Sequence, residues 1–69
     1  MRIMHVEILV KQIREKKQLT LSQLSDKSGV SVTHINDVEN NMKGPSLLVM
    51  VKLAKALDVA ITDLYRVKW

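Results

Sequence analysis

The side chains best suited to chemistry lie in one short segment near the middle of the chain, residues 31 to 40. Ile35 and Val38 are apolar and three residues apart, which predicts a helix that buries them on one side. At about 100° per residue, the opposite side of that helix carries four neighbouring side chains. These are Val32, Thr33, Asn36 and Asp37.

Short polar groups and methyls of this kind can recognise base edges in the major groove of DNA. An amide such as Asn36 can pair bidentately with adenine, and the Thr33 hydroxyl can donate or accept a hydrogen bond. Val32 could contact a thymine methyl, and Asp37 could accept from the N4 amino group of cytosine. The alternative interpretation is a solvated helix face with no partner.

Local signals predict the elements that would position this face. Thr20 is an N-cap candidate for a helix over Leu21–Ser28, and Gly29 can take the positive φ that ends it. Ser31 is the N-cap candidate for the next helix, Val32–Glu39. Two short helices joined by a tight turn with glycine are typical of a helix-turn-helix, whose second helix enters the major groove.

Three further helical segments are predicted around this pair. Apolar spacing places a first helix over Val6–Lys17, and Ser46 caps a fourth over Leu47–Leu57. Thr62 is expected to cap a short final turn, Asp63–Tyr65. The inner stripe of the fourth helix is predicted as Leu47, Met50, Val51, Ala54 and Leu57.

The two ends of the chain alternate between apolar and polar residues, which is the period of a strand. Val6 and Ile8 fit both a strand and the first helix, and we favour a short strand at Arg2–His5 before that helix. The two ends could pair as a two-stranded antiparallel ribbon. We therefore predict an all-α, five-helix fold in a single domain over residues 1–69, with this ribbon as an optional addition.

Composition narrows the function classes. The 69 residues include no cysteine, so no disulfide and no thiolate metal site is possible. The hydrophobic content of 46% suffices for an aliphatic core. No apolar run approaches the about 20 residues of a membrane span, and we expect a cytoplasmic protein. No nucleophile–base pair, glycine-rich phosphate loop or paired carboxylates are present in the sequence, so we predict no enzyme activity, no metal and no cofactor.

The stretch from Ile13 to Tyr65 resembles the Cro/repressor-type, or Xre-like, helix-turn-helix family. The landmarks, which match without a gap, include Ile13, Arg14, Leu19, Leu24, Gly29, Val30, Ser31, Ile35, Val38, Glu39, Asn40, Pro45, Ser46, Leu53, Ala54, Leu57, Val59 and Leu64. The resemblance implies five helices around one core, base contacts from the face described above, and a structural ion pair between Arg14 and Glu39.

The resemblance also implies phosphate contacts from the start of the second helix and from the loop after the third. The corresponding residues with polar side chains are Thr20, Asn40 and Lys43. His34, beside the base-contacting positions, is expected to contact phosphate as well. Leu21 and Met42 stand at further phosphate positions without a donor side chain. Residues 20–45 carry two lysines against three carboxylates, a net charge of −1, although the whole chain is +4.

We therefore expect a sequence-specific regulator of transcription, a repressor that binds a palindromic operator as a homodimer. The expected dimer surface is apolar and consists of Leu48, Val49, Tyr65, Val67 and Trp69. The alternative is a protein-interaction module on the same fold, an antitoxin or a partner-titrated adaptor. The negative charge of the helix-turn-helix segment motivates that alternative.

Overall fold

A computed structural model describes residues 5–40 and 44–68 of the chain. Within these two ranges, four α-helices follow a first strand, and a short 3₁₀ helix leads into a second strand. In chain order the elements are β1 (His5–Ile8), α1 (Val10–Lys16), α2 (Leu21–Ser28), α3 (Val32–Glu39), α4 (Leu47–Leu57), the 3₁₀ helix (Ile61–Leu64) and β2 (Tyr65–Lys68).

The three central helices begin and end where the sequence predicted, because their ends carry explicit capping groups. The Thr20 hydroxyl accepts from the backbone N–H of Gln23, and the Gln23 side chain accepts in return from the Thr20 N–H. Ser31 and Ser46 cap α3 and α4 in the same way, each accepting from the N–H three residues on. Capping of this kind satisfies backbone donors that have no partner inside the helix.

The predicted five-helix, all-α class is wrong in its helix count. Within residues 5–40 and 44–68 the fifth helical segment is a single 3₁₀ turn, and the ends form an antiparallel ribbon. Thr62 does not cap that turn; the backbone N–H of Ala60 donates to the Asp63 carboxylate at 3.1 Å instead. The turn ends after four residues because Tyr65 takes an extended backbone conformation and begins β2.

The start of the first helix was also predicted wrongly. Residues 6–8 belong to β1, and α1 begins only at Val10. No side chain caps the N-terminus of α1, so no local signal fixes the start of this helix at Val6. Residues 6–8 pair with β2 instead, and that strand supplies their backbone hydrogen-bond partners. The predicted strand at Arg2–His5 lies outside the described residues except for His5.

The register of the ribbon sorts its side chains onto two faces. Val6 pairs with Val67 and Ile8 with Tyr65, which places apolar side chains on one face. Glu7 pairs with Arg66 on the other face, where its carboxylate accepts from Nε at 2.9 Å and also contacts Nη2. The Lys68 ammonium lies 3.5 Å from the same carboxylate. Arg66 therefore lowers the pKa of Glu7, chiefly by hydrogen bonding.

The core is aliphatic, and every helix contributes to it. Its buried members are Val10, Leu24, Val30, Ile35, Val38, Met50, Leu53, Ala54, Leu57 and Leu64. The predicted inner stripe of α4 was partly wrong, since Leu47 is 74% exposed and Val51 47% exposed, whereas Leu53 is fully buried. The buried face follows the spacing Met50, Leu53, Ala54, Leu57 of one helix side.

Candidate nucleic-acid interface

The turn between α2 and α3 fixes how α3 is presented. Gly29 ends α2 with φ of +75°, a conformation that costs a side chain-bearing residue strain. Val30 then points into the core with 5% of its surface exposed. Ser31 caps α3 immediately afterwards, so the N-terminal half of α3 is held at a defined angle to α2.

The outward side of α3 carries the residues that the sequence placed there. Val32 is 41% exposed, Thr33 and Asn36 are exposed, and Asp37 is half-buried. We call these four residues the reading face. The inward side is buried through Ile35 and Val38, which fixes the rotation of α3 and so the direction in which the reading face points. The face presents a methyl pair, a hydroxyl, an amide and a carboxylate.

Arg14 of α1 and Glu39 of α3 form an ion pair at the base of α3. The Arg14 Nε donates to Glu39 Oε2 at 2.7 Å, and Nη2 donates to Oε1 at 3.1 Å. The side chains are 11% and 3% exposed, so the pair is largely removed from water. Arg14 Nη1 also donates to the carbonyl oxygen of Leu19 at 2.8 Å, which ties the loop before α2 to the same guanidinium.

Through these hydrogen bonds the Arg14 side chain connects α1, the loop before α2 and the C-terminal end of α3. The hydrogen bonds to Glu39 raise the pKa of Arg14 above its usual value. An arginine is already protonated at neutral pH, so the raised pKa leaves the pair intact on the arginine side throughout the physiological range. Two parallel bonds of this kind restrict rotation as well as distance, and they therefore orient α3 against α1.

Three of the four residues that are expected to contact phosphate lie in the described part of the chain, as the N-cap of α2, in α3 and at its C-cap. Thr20, His34 and Asn40 are exposed. The Thr20 oxygen already accepts from Gln23, which leaves its hydroxyl hydrogen available to an acceptor such as phosphate. Lys43, like Met42, lies outside the described residues.

An apolar surface lies on the ribbon and the first turns of α4. Leu48 is 62% exposed, and Tyr65 and Val67 are 36% and 37% exposed. Val49 is half-buried and packs against the core of its own chain, and Trp69 lies outside the described residues. A groove of about 480 Å³ runs between the ribbon and α4. Its lining consists of Val6, Ile8, Gly44, Pro45, Leu47, Met50, Ile61 and Tyr65.

Sequence reasoning missed two contributors to these surfaces. Leu47 and Val51 enlarge the apolar surface, although both had been assigned to the core. The Glu7, Arg66 and Lys68 cluster was not foreseen either. Its signal was present, since opposite charges alternate with apolar residues in both end segments.

The part of the chain that the structure describes contains no helix long and apolar enough to cross a bilayer.

Comparison with known proteins identifies the family. The family model described as helix-turn-helix matches residues 10–64. The regulator SinR of Bacillus subtilis is 34% identical over 56 residues, which is 80% of this chain and 50% of SinR. The immunity repressor protein of Bacillus phage phi105 is 32% identical over 53 residues, or 77% of this chain and 37% of that repressor. The chain thus spans about half, or less, of the length of these curated relatives.

Solved structures agree with this assignment. The restriction-modification controller protein C.AhdI from Aeromonas hydrophila superposes with a TM-score of 0.76 at 30% identity, over 78% of this chain and 82% of C.AhdI. The N-terminal DNA-binding domain of SinR from Bacillus subtilis gives a TM-score of 0.72 at 33% identity, over 77% and 78% of the two chains. The chain belongs to the helix-turn-helix family.

Proposed function

We propose that this chain is a sequence-specific DNA-binding regulator of transcription, a repressor that places α3 in the major groove. The observation that carries the proposal is the reading face, which presents the exposed Val32, Thr33 and Asn36 and the half-buried Asp37 on a helix whose other side is buried in the core. A reading helix must hold its side chains at fixed positions against base edges, and a capped, ion-paired helix does so. The relatives named as transcriptional regulators and repressors support the same function.

The proposed roles follow from chemistry and position. Thr33 and Asn36 hydrogen-bond base edges, Val32 contacts a thymine methyl, and Asp37 accepts from cytosine. Phosphate contacts come from Thr20, His34, Asn40 and Lys43. Few of these residues are cations. Hydroxyl groups, amides and protein backbone N–H groups therefore supply many of the contacts to the DNA phosphates. The affinity for DNA should then fall less steeply with salt concentration than it does for a strongly basic domain.

A homodimer completes the proposal. Two copies related by a two-fold axis would place two reading helices about 34 Å apart, matching a palindromic site. The proposed interface consists of Leu48, Val49, Tyr65, Val67 and Trp69. The exposure of Leu47 and Val51 beside Leu48 adds support, since a contiguous apolar patch on a small domain marks an interaction site.

Sedimentation velocity at micromolar concentration tests the dimer. The wild-type chain should sediment as a dimer, and Leu48→Glu should sediment as a folded monomer, because that side chain is 62% exposed and makes little core contact. Val32→Glu is the matched control, an exposed apolar side chain outside the proposed interface, and it should remain dimeric. A wild-type monomer would contradict the dimer while leaving the DNA-binding proposal open to its own test.

Selection from random duplexes tests DNA reading. Enrichment of a palindromic sequence is expected. The second candidate function, a protein-interaction module, is favoured by the net charge of −1 over residues 20–45. An absence of sequence enrichment, with the chain folded, would support that candidate and contradict the operator proposal.

A further inference from the structure

A basic cleft lies between the last turn of α2 and the C-terminal half of α4, apart from the reading face. It has a volume of about 510 Å³, and we call it the lysine cleft. Its lining consists of Lys27, Ser28, Lys52, Lys55 and Ala56. Lys52 and Lys55 are three residues apart on α4, so both extend from the same side of that helix. The lysines are exposed, whereas Ser28 and Ala56 are half-buried.

Three lysines line this cleft and none of them is ion-paired within the described part of the chain, although Asp26 precedes Lys27 and Asp58 lies three residues after Lys55. Among residues 5–40 and 44–68, no acidic side chain lies within ion-pair distance of Lys27, Lys52 or Lys55. The Ser28 hydroxyl oxygen accepts from the Val30 N–H at 3.1 Å, which leaves its hydrogen to donate outward. The cleft is therefore lined with donors and cations, and it attracts groups that accept hydrogen bonds and carry negative charge.

The position of the cleft separates it from the reading face. The α4 helix packs against α2 and α1, while α3 packs against α2, so the α2–α4 seam is distinct from the outward side of α3. None of the five lining residues belongs to the reading face. A partner in the cleft could consequently be bound at the same time as a ligand on α3.

The position and lining of the cleft favour an acidic polypeptide segment over a duplex, because the cleft lies at the α2–α4 seam rather than on α3 and includes the apolar Ala56. Lysine ammonium groups are compact point charges on flexible stems, so they can follow several carboxylates of an extended segment, although they bind phosphate as well. Ala56 and the alkyl stems of the lysines add an apolar floor that can cover a small aliphatic side chain. At physiological salt the attraction extends about 8 Å, so the three charges act together on one segment.

We propose that the lysine cleft docks an acidic polypeptide segment of a partner protein. The interaction does not require DNA, and it gives the domain a second binding surface separate from the reading face. A duplex backbone crossing the cleft is the competing occupant.

The test is an NMR titration of the full ¹⁵N-labelled chain. The probe is a synthetic nine-residue peptide of glutamates and aspartates around one leucine, and the same peptide with glutamines for the acids is its control. Amide shifts should concentrate at residues 27–28 and 52–56. The double variant Lys52→Gln/Lys55→Gln should weaken binding about fivefold or more, since each exposed ion pair contributes modestly.

The matched control is Lys16→Gln/Lys17→Gln, which removes the same charge from the end of α1. It should change the affinity less than about twofold, and thermal melts should show that both doubles stay folded. Equal weakening by the two doubles, or shifts spread evenly over α1 and α4, would show general attraction and overturn the proposal. So would a result in which a short random duplex shifts the cleft amides and the acidic peptide does not.

Discussion

The Arg14–Glu39 ion pair supports the sharpest prediction about stability. Replacing Arg14 with methionine removes the guanidinium but leaves the Glu39 carboxylate, which is 3% exposed, without its partner. Leaving a buried charge uncompensated costs about 3–5 kcal/mol. The domain has 69 residues, which corresponds to a total stability of about 3–10 kcal/mol. Arg14→Met should therefore remove a large part of the free energy of unfolding.

The reverse change should cost less. Glu39→Leu leaves Arg14 with 11% of its side chain exposed and still bonded to the Leu19 carbonyl at 2.8 Å. The double variant Arg14→Met/Glu39→Leu leaves no buried charge from this pair, and an apolar replacement of a buried ion pair is often neutral. The double variant still lacks the hydrogen bond from Arg14 to the Leu19 carbonyl, and this loss should lower its free energy of unfolding by about 1 kcal/mol.

Urea denaturation followed by circular dichroism measures all four members of this cycle. The expected order of stability is wild type, close to the double variant, then Glu39→Leu, then Arg14→Met. If the double variant loses as much as the two single variants together, the residues are not coupled and the reasoning is refuted. A loss below about 1 kcal/mol for Arg14→Met would refute it as well.

Three further predictions concern the ribbon and the turn before α3. Arg66 lowers the pKa of Glu7 in the folded protein below its usual value of 4.5. The pair therefore stabilises the ribbon fully at pH values above 4.5, and this stabilisation is lost as the pH falls through the lowered pKa of the folded state. Amide shifts of β1 and β2 should show this acid transition, and Glu7→Gln should abolish it. Ser31→Ala removes the cap of α3 and should cost about 1 kcal/mol in urea denaturation. Gly29→Ala should cost about 1–2 kcal/mol through its φ of +75° alone, because no atom beyond the two neighbouring residues lies within 4 Å of the added Cβ; a neutral result would contradict the strain assignment.

The sequence predictions were accurate where the residues that determine a feature lie close together in the chain. The bounds of α2, α3 and α4 were predictable because Thr20, Ser31 and Ser46 cap them within three residues. The reading face was predictable because two buried residues, Ile35 and Val38, fix the rotation of α3. In both cases the information lay inside one helix.

Features that depend on distant parts of the chain were not predictable in the same way. β1 could not be separated from α1 because its partner strand lies about 59 residues away, as the Glu7–Arg66 contact shows. The buried side of α4 was ambiguous because residues 47–51 are all apolar, so several rotations satisfy the pattern. The lysine cleft is formed by residues of α2 and α4, and the packing of these two helices against each other could not be predicted from the sequence.

The reading face is the central claim, and one comparison tests it most directly. Random-duplex selection should be performed on the wild-type chain, on Thr33→Ala and on Thr62→Ala, which removes an exposed hydroxyl from the 3₁₀ helix. We predict that Thr33→Ala changes the preferred base at one position in each half-site, with a discrimination loss of about 1–3 kcal/mol, and that Thr62→Ala selects the wild-type sequence. Identical selected sequences for all three chains would contradict the assignment of α3 as the helix that reads DNA.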